Sequence, residues 1–559
     1  MKNFALLALL LACGSACTPT ETTSDTETPL DSALTSITHD DLMRHLRVLA
    51  SDSFEGRGVA TPAETLTVDY LTNQFRQLGL KPGNPDGSYV QKVPLMGFTA
   101  EDVKASFQGK GKTLTFQYPD QFMGVSHLNQ EDVAVQHSEV VFVGYGVDAP
   151  EYEWDDYKGM DMTGKTLLML INDPAVPLEG DTSQLDSTVF RGKAMTYYGR
   201  WTYKYEIAAE KGAAAAIIIH ETGPAGYPYE VVSGSWGGEN FDVQNDPNPK
   251  VQVEAWVPYA QAQELVALAG QNLAQLKQAA LKRDFQPVPL GVQANLSLHN
   301  NLRFVDSHNV VAKLEGSELP DEYVIYTAHW DHLGRDPELE GDQIYNGALD
   351  NATGTAGLLE LADAYTKLPT PPKRSVLFLA VTAEEKGLLG SKYYATHPLY
   401  PLNKTLANLN MDGLNPWGRT RDLVIVGQGN STLDDTLMKA LQQQDRVVVP
   451  EDSPEKGYFY RSDHFEFAKE GVPALYTDNG IDYRDQPADY GRQRQAAYVE
   501  QDYHKLSDEI KPDWNFAGGV EDLQLLFRVG YDVANGTTYP SWKPGTEFRA
   551  KREQMLRQL

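Results

Sequence analysis

From about residue 308 the chain alternates short apolar runs with helical ones, and this alternation constrains its fold more than any other feature. Runs over 310–314, 323–328, 375–382, 406–411, 423–426 and 474–477 are dominated by apolar residues. Short continuous runs of this kind mark strands buried on both faces. Segments 353–367, 388–396, 432–444 and 520–534 read as helices between them. Strands alternating with helices predict an α/β sandwich built around a buried sheet. A chain of 559 residues exceeds one ordinary domain, so roughly two or three units are expected.

Upstream, the segment 130–299 has a different character. Residues 140–146 (VVFVGYG) read as a strand and turn, and 165–172 (KTLLMLIN) as a buried strand. Residues 203–212 read as a helix that leads into a strand over 215–219. This stretch carries no acid–base cluster and is expected to be a separate module. Residues 36–129 and 300–545 then form one discontinuous domain, with 546–559 as a C-terminal tail. Early in that domain Thr38 can cap a helix whose face is Leu42, Leu46 and Leu49. Thr61-Pro62-Ala63-Glu64 opens another with a capping box and a proline in its first turn.

The N-terminus reads as an export signal over residues 1–17. Lys2 is followed by an apolar run over 4–12, too short to span a bilayer. Leu10-Leu11-Ala12-Cys13 and Gly14-Ser15-Ala16-Cys17 both resemble a bacterial lipobox. Cys17, with Cys13 as the alternative, is expected to carry lipid and hold the protein on a membrane facing the periplasm or cell exterior. Residues 18–35 (TPTETTSDTETPLDSALT) read as a flexible tether. Both cysteines fall in this leader, so any metal must be held by His and carboxylates. With 77 acidic against 48 basic residues, the net charge of −29 repels phosphate backbones and argues against nucleic-acid partners.

In open α/β sheets, ligands sit beyond the carboxyl ends of the strands, and the acidic and imidazole residues of this chain cluster there. The run 323–328 leads into His329-Trp330-Asp331, 375–382 into Glu384-Glu385, and 406–411 into Asp412. Asp350 stands just before the helix at 353. A two-metal hydrolytic site needs terminal His and carboxylate ligands, a bridging carboxylate and a free base. His329, Asp350, Glu384, Glu385 and Asp412 supply all of these except a second His.

The stretches TAHWDHLG, NGALDNATGTAGLLELA, VLFLAVTAEEKGLLGSKYYA, NLNMDG, RSDHFEFAKEGVPAL and YHKLSD, in this order over 323–508, resemble the M28 family of zinc peptidases. The resemblance implies a three-layer sandwich with a mixed central sheet, and two zinc ions. It implies that His329 and Asp412 hold one ion, Glu385 and His504 the other, and that Asp350 bridges them. His504 is favoured over His464 as the second His, Asp412 over Asn410 as the carboxylate, and His332 is not expected to ligate. Glu384 is the implied general base, taking a proton from the metal-bridging water and passing it to the leaving amine. Asp331 is expected to accept a hydrogen bond from His329, and Tyr503 to donate to the oxyanion. Ser462, Asp463 and His464 are expected to line the substrate pocket, and a cis peptide is anticipated at Asp350-Asn351. The segment 130–299 resembles a mainly β protease-associated (PA) domain.

The function implied is removal of N-terminal residues from peptides outside the cytoplasm. Alternatives on the same scaffold are a glutaminyl cyclase-like transferase, a carboxypeptidase or dipeptidase, and a peptide-binding receptor. A carboxypeptidase requires a cation for the terminal carboxylate, for which Arg461, Arg484 and Arg494 are available.

Overall fold

The computed structural model describes residues 29–557. The signal, both lipobox cysteines and the tether up to residue 28 lie outside the described residues. Residues 29–35, read from the sequence as the end of the tether, instead form the helix Pro29–Thr35, with Ala33 buried in the core. Among the described residues no helix is long and apolar enough to cross a membrane.

The architecture is α/β, as expected, around one mixed sheet of 16 strands. Leu319–His329 lies at its heart, parallel to Arg374–Val381 on one side and to Thr405–Asn410 on the other. Thr405–Asn410 in turn runs parallel to Ala474–Asp478. Alternate residues of these strands face opposite ways, and each face has its own core. Val324, Tyr326, Ala328, Val376, Phe378 and Ala380 pack under the helices His39–Leu49, Thr353–Thr366 and Ala517–Asn535. Tyr323, Ile325, Leu377, Leu379 and Val381 meet Tyr394 and Phe467 on the other side. Helices on both faces make the three layers, and they explain why these strands read as continuous apolar runs.

Beyond Arg374–Val381 the sheet continues through Val288–Leu314, a strand of 27 residues. Its late residues pair with Arg374–Val381 and its early ones with Asp132–Phe142. Val90–Gly109 runs antiparallel to it along most of its length. Past Asp132–Phe142 come Thr166–Leu170, Ala215–His220 and Val253–Pro258, all parallel. The strands around them enclose a second large core running from Met96 to Leu298. The segment expected as a mainly β insert also holds the helices Trp201–Glu210, Tyr229–Trp236, Tyr259–Leu268 and Leu273–Ala279. Parallel strands need long crossovers, and helices supply them.

Local signals near the start are met in part. Thr38 Oγ1 accepts from Asp41 N at 3.2 Å and donates to Asp41 Oδ2 at 2.7 Å. Thr61 makes no side-chain cap; its hydroxyl turns back to Gly58 O at 2.7 Å, while Glu64 still reaches Ala60 N at 2.6 Å. The tail 546–559 is not free over its described part. Phe548 is buried, and within Arg549–Leu556 the Arg552 guanidinium donates to Thr405 O at 2.9 Å, bracing a central strand.

The fit of Ala517–Asn535 against the sheet depends on Gly530. A Cβ there would lie 1.9 Å from the Tyr326 hydroxyl, which is itself held by Leu526 O at 2.8 Å. Gly530→Ala is expected to cost about 1–3 kcal/mol by overpacking, read as a lower urea midpoint at unchanged m-value.

Candidate active site

Parallel pairing of Leu319–His329 with both neighbours places three strand ends side by side, and the predicted residues leave from them. His329 ends its strand. After Arg374–Val381, Ala383 takes a left-handed turn (φ 54°) that brings Glu384 and Glu385 to the same edge. Asp412 follows Thr405–Asn410, and Asp350 sits at the irregular start of the helix Thr353–Thr366. The Asp350–Asn351 peptide bond is cis.

These side chains converge. His329 Nε2 lies 3.3 Å from Asp412 Oδ1 and 3.4 Å from Asp350 Oδ1. His504 Nε2 lies 3.1 Å from Asp350 Oδ2 and 3.1 Å from Glu385 Oε2. Asp350 thus divides its two oxygens between two donor sets. Tetrahedral zinc with bonds of roughly 2.0–2.1 Å puts neighbouring donor atoms about 3.3 Å apart, so both sets fit an ion of this kind. His332 is also close to Asp350 and Glu385. Its Nδ1, however, is 2.7 Å from Glu385 Oε1, a hydrogen-bond distance and shorter than a tetrahedral edge. Glu384 Oε2 stands 3.9 Å from His329 Nε2, beside the cluster.

The charges are tightly coupled. Burial opposes a charged His329, yet Glu384 and Asp412 push its pKa well above the ordinary value. His504 likewise rises to about 10 against its burial, through its hydrogen bonds to Asp350 and Glu385. Burial opposes ionisation of Glu385, and Asp350 does too, but His332 and His504 bring it down to about 2. Glu384 goes the other way. Burial and the carboxylates of Asp412, Glu385 and Asp463 raise it well above a normal glutamate, only partly offset by His329. It is the carboxyl of the cluster suited to carry a proton.

Supporting groups differ from expectation in places. Asp331 Oδ1 is 3.8 Å from His329 Nδ1, beyond hydrogen bonding; that nitrogen faces the Asp331 carbonyl at 3.2 Å instead. The Asp331 carboxylate accepts from Glu384 N at 3.1 Å and Glu385 N at 3.4 Å, so it orients the turn that carries both glutamates. The Asn410 amide is engaged by neighbouring side chains. It donates to Ser462 Oγ at 2.7 Å, and Ser462 donates to Asp412 Oδ2 at 2.6 Å. Asp463 and His464, expected in the substrate pocket, are fully buried instead. Burial drives Asp463 up to about 7 and His464 down to about 3. The His464 ring packs on Phe459 and Tyr476, with centroids 4.6 and 4.9 Å away. Tyr503 is 44% exposed and stacks on His504 at 3.9 Å, with its hydroxyl free of protein partners among the described hydrogen bonds.

Several contributors were not foreseen. Asp508 accepts from the backbone of Leu349 and Asp350 at 3.1 Å each, and Tyr498 donates to it at 3.2 Å. Tyr476 donates to the Asp412 carbonyl at 3.4 Å. Beneath the cluster lies Arg57, fully buried. It donates to Trp330 O at 2.8 Å, Leu49 O at 2.7 Å, Asn346 O at 2.6 Å and Gly347 O at 2.8 Å. It therefore ties the loop after His329 to the loop before Asp350. Gly56 lets the chain bring it there, because a Cβ at that residue (φ 65°) would meet Gly334 O at 2.4 Å. Burial lowers the Arg57 pKa to about 10 against the pull of Asp350, Asp508, Asp331 and Glu385, so it stays charged. No local pattern signals this role, since its partners are carbonyls far away in sequence. Arg57→Met would strand these acceptors, at about 1–3 kcal/mol for each one left unpaired, and would remove the countercharge. Urea denaturation should show a loss of at least about 3 kcal/mol, larger for metal-free than for metal-loaded protein.

Comparison with known proteins gives this geometry a context. The family model of peptidase family M28 matches residues 309–527. Mouse aminopeptidase NAALADL1 is 35% identical over 129 residues, covering 22% of this chain and 16% of that protein. A probable leucine aminopeptidase 2 of Aspergillus oryzae is 26% identical over 318 residues, covering 55% of each. The chain therefore spans 16% and 55% of the lengths of these two relatives. Among solved structures, an aminopeptidase from Aneurinibacillus sp. strain AM-1 aligns with a TM-score of 0.46 at 18% identity, over 92% of this chain and 97% of that one. The metal-ligand candidates His329, Asp350, Glu385, Asp412 and His504 all lie within 309–527, the part of the chain that the model of peptidase family M28 matches.

Proposed function

We propose that the protein is an exported zinc aminopeptidase that removes N-terminal residues from peptides, using Glu384 as general base. The observation that carries this reading is the split of Asp350 between two donor sets at tetrahedral spacing, with Glu384 beside them. The aminopeptidase relatives support the substrate class, and the N-terminal leader supports export with a lipid anchor at Cys17 or Cys13.

Two zinc ions, one held by His329, Asp350 and Asp412 and the other by His504, Asp350 and Glu385, would polarise the scissile carbonyl and acidify water. Glu384 takes one proton from the attacking water as its oxygen bonds to the carbonyl carbon. It then delivers that proton to the amine nitrogen as the C–N bond breaks. Its raised pKa lets it hold the proton between the two transfers. Tyr503 keeps its phenolic proton, because partial desolvation and the nearby carboxylates of Asp350, Glu385, Glu384 and Asp412 disfavour the phenolate. It can therefore donate a hydrogen bond to the developing oxyanion. Asp331 holds the 384–385 turn, and Ser462 holds Asp412, while these steps occur. His332 orients Glu385 through their hydrogen bond and is not itself a ligand. The segment 130–299 serves, on this reading, as a PA-like wall of the substrate cleft.

The direct test is hydrolysis of free and N-blocked aminoacyl substrates, with protein as purified, after chelation, and after zinc is restored. Metal-dependent cleavage of the free-amine series alone supports the proposal; no cleavage by folded, zinc-loaded protein sinks it. Glu384→Gln should lower kcat by about 10²–10⁴-fold with bound zinc unchanged. Elemental analysis should show zinc per chain falling from two to one in His504→Ala, and staying at two in His332→Ala.

A further inference from the structure

Glu384 and Glu385 ride on a turn whose backbone is strained at both ends. Ala383 (φ 54°) and Leu388 (φ 60°), neither of them glycine, lie in the left-handed region. Such conformations persist only where the surroundings hold them. On one side the Asp331 carboxylate does so, through Glu384 N and Glu385 N. On the other side the turn is stitched to the start of the helix Leu389–Thr396. Gly387 N and Leu388 N donate to Glu384 O at 2.9 Å each, Leu389 N to Ala383 O at 3.0 Å, and Gly390 N to Thr382 O at 2.9 Å. A Cβ on Gly390 would lie 2.3 Å from Thr382 O, so there is no slack between helix and turn. Wherever this helix sits, the two glutamates follow.

Much of what holds the helix comes from upstream of the family-matched residues 309–527. Ala383 and Leu389 share one apolar cluster with Val93, Leu95, Phe241 and Val243. Those four lie on Val90–Gly109 and Asn240–Val243, which pair antiparallel. Within the helix, Lys392 Nζ lies 3.0 Å from Asp242 Oδ1 and 2.6 Å from Asp246 Oδ2. The three side chains are 19%, 4% and 3% exposed, so water and salt screen their charges little. Asp242 Oδ2 also accepts from Lys250 and faces His127 Nδ1 at 3.0 Å, while His127 Nε2 lies 3.6 Å from Glu254. Burial opposes ionisation of Asp242, yet Lys392, His127 and Lys250 hold it well below the usual carboxylate range. The contact is therefore between full charges. A buried ion pair is often no more stabilising than an apolar pair of the same shape, but it has a direction and an apolar contact does not.

We propose that Lys392 is a positioning residue for the general base: its ion pairs with Asp242 and Asp246 anchor the helix Leu389–Thr396 to the 130–299 segment and hold the Glu384–Glu385 turn in its working place. The segment then acts on the proton transfer itself and not only on access to the cleft. This rests on the aminopeptidase reading with Glu384 as base.

The test compares Lys392→Met, Lys392→Arg and the double replacement Asp242→Asn/Asp246→Asn with the unaltered protein, all full-length and zinc-loaded, on one free-amine aminoacyl substrate. Lys392→Met and the double replacement are each expected to lower kcat by about 10–100-fold. KM should change little, the pattern of a loss felt only in the transition state. Lys392→Arg should regain most of the rate. Joining Lys392→Met to the aspartate replacements should cost no more than the larger single loss, because the partners act as one unit. Arg374→Met is the control. Arg374 is buried, pairs with Glu322 at 2.6 Å, and opens the strand whose far end leads into the turn. That variant should melt at a lower temperature with kcat and KM unchanged. An unaltered kcat in Lys392→Met, or an equal fall in Arg374→Met, overturns the proposal; if Lys392→Met does not fold, the aspartate replacements carry the same comparison. Hydrogen exchange adds a measurement that needs no turnover: amides of residues 383–390 should exchange faster in Lys392→Met and at the unaltered rate in Arg374→Met. If the unaltered protein cleaves nothing, the aminopeptidase reading fails, and exchange alone decides whether Lys392 holds the turn; equal protection with and without Lys392 overturns it.

Discussion

Carboxylates packed side by side away from water repel one another, and each has also lost its hydration, so a fold that gathers them must supply positive charge at the same place. Here Asp350, Glu384, Glu385 and Asp412 gather within reach of His329 and His504, with the buried guanidinium of Arg57 underneath. The arrangement suits divalent cations in the space between the donors, and it accounts for the opposite behaviour of neighbouring glutamates. Glu385 is held anionic by two imidazoles, while Glu384 faces other acids and keeps its proton more readily.

The sheet makes this crowding possible. Parallel strands all end at the same edge, so three chain segments far apart in sequence deliver their next residues to one place. The loops are then fixed by hydrogen bonds rather than by packing alone. Asp508 holds the backbone at Leu349 and Asp350, Asp331 holds that of Glu384 and Glu385, and Arg57 links the Trp330 and Gly347 carbonyls. Each of these anchors is buried, where a hydrogen bond costs most to break.

The same sheet joins the two cores. Val288–Leu314 enters one core through its pairing with Asp132–Phe142 and the other through Arg374–Val381. Further ties cross between the two parts. Tyr197 N and the Tyr460 hydroxyl both donate to Glu547 Oε1, at 3.1 and 2.9 Å, and Lys469 pairs with Glu206 at 2.7 Å. These bonds fix the strands of the second core against the sheet that carries the acidic cluster.

By itself the sequence determined the α/β class, most strand and helix positions after residue 308, and the identity of the residues that meet at the strand ends. Apolar periodicity and strand-end chemistry are local, so they survive in a linear reading. The resemblance named His504, but only the tertiary structure set both His504 and His332 beside Glu385 and carried His464 into a buried aromatic pocket. It also buried Asp463 and His464, moved the Asp331 carboxylate from His329 to the 384–385 turn, and recruited Arg57. Those outcomes depend on burial and on partners far away along the chain, quantities that exist only after the chain has closed on itself.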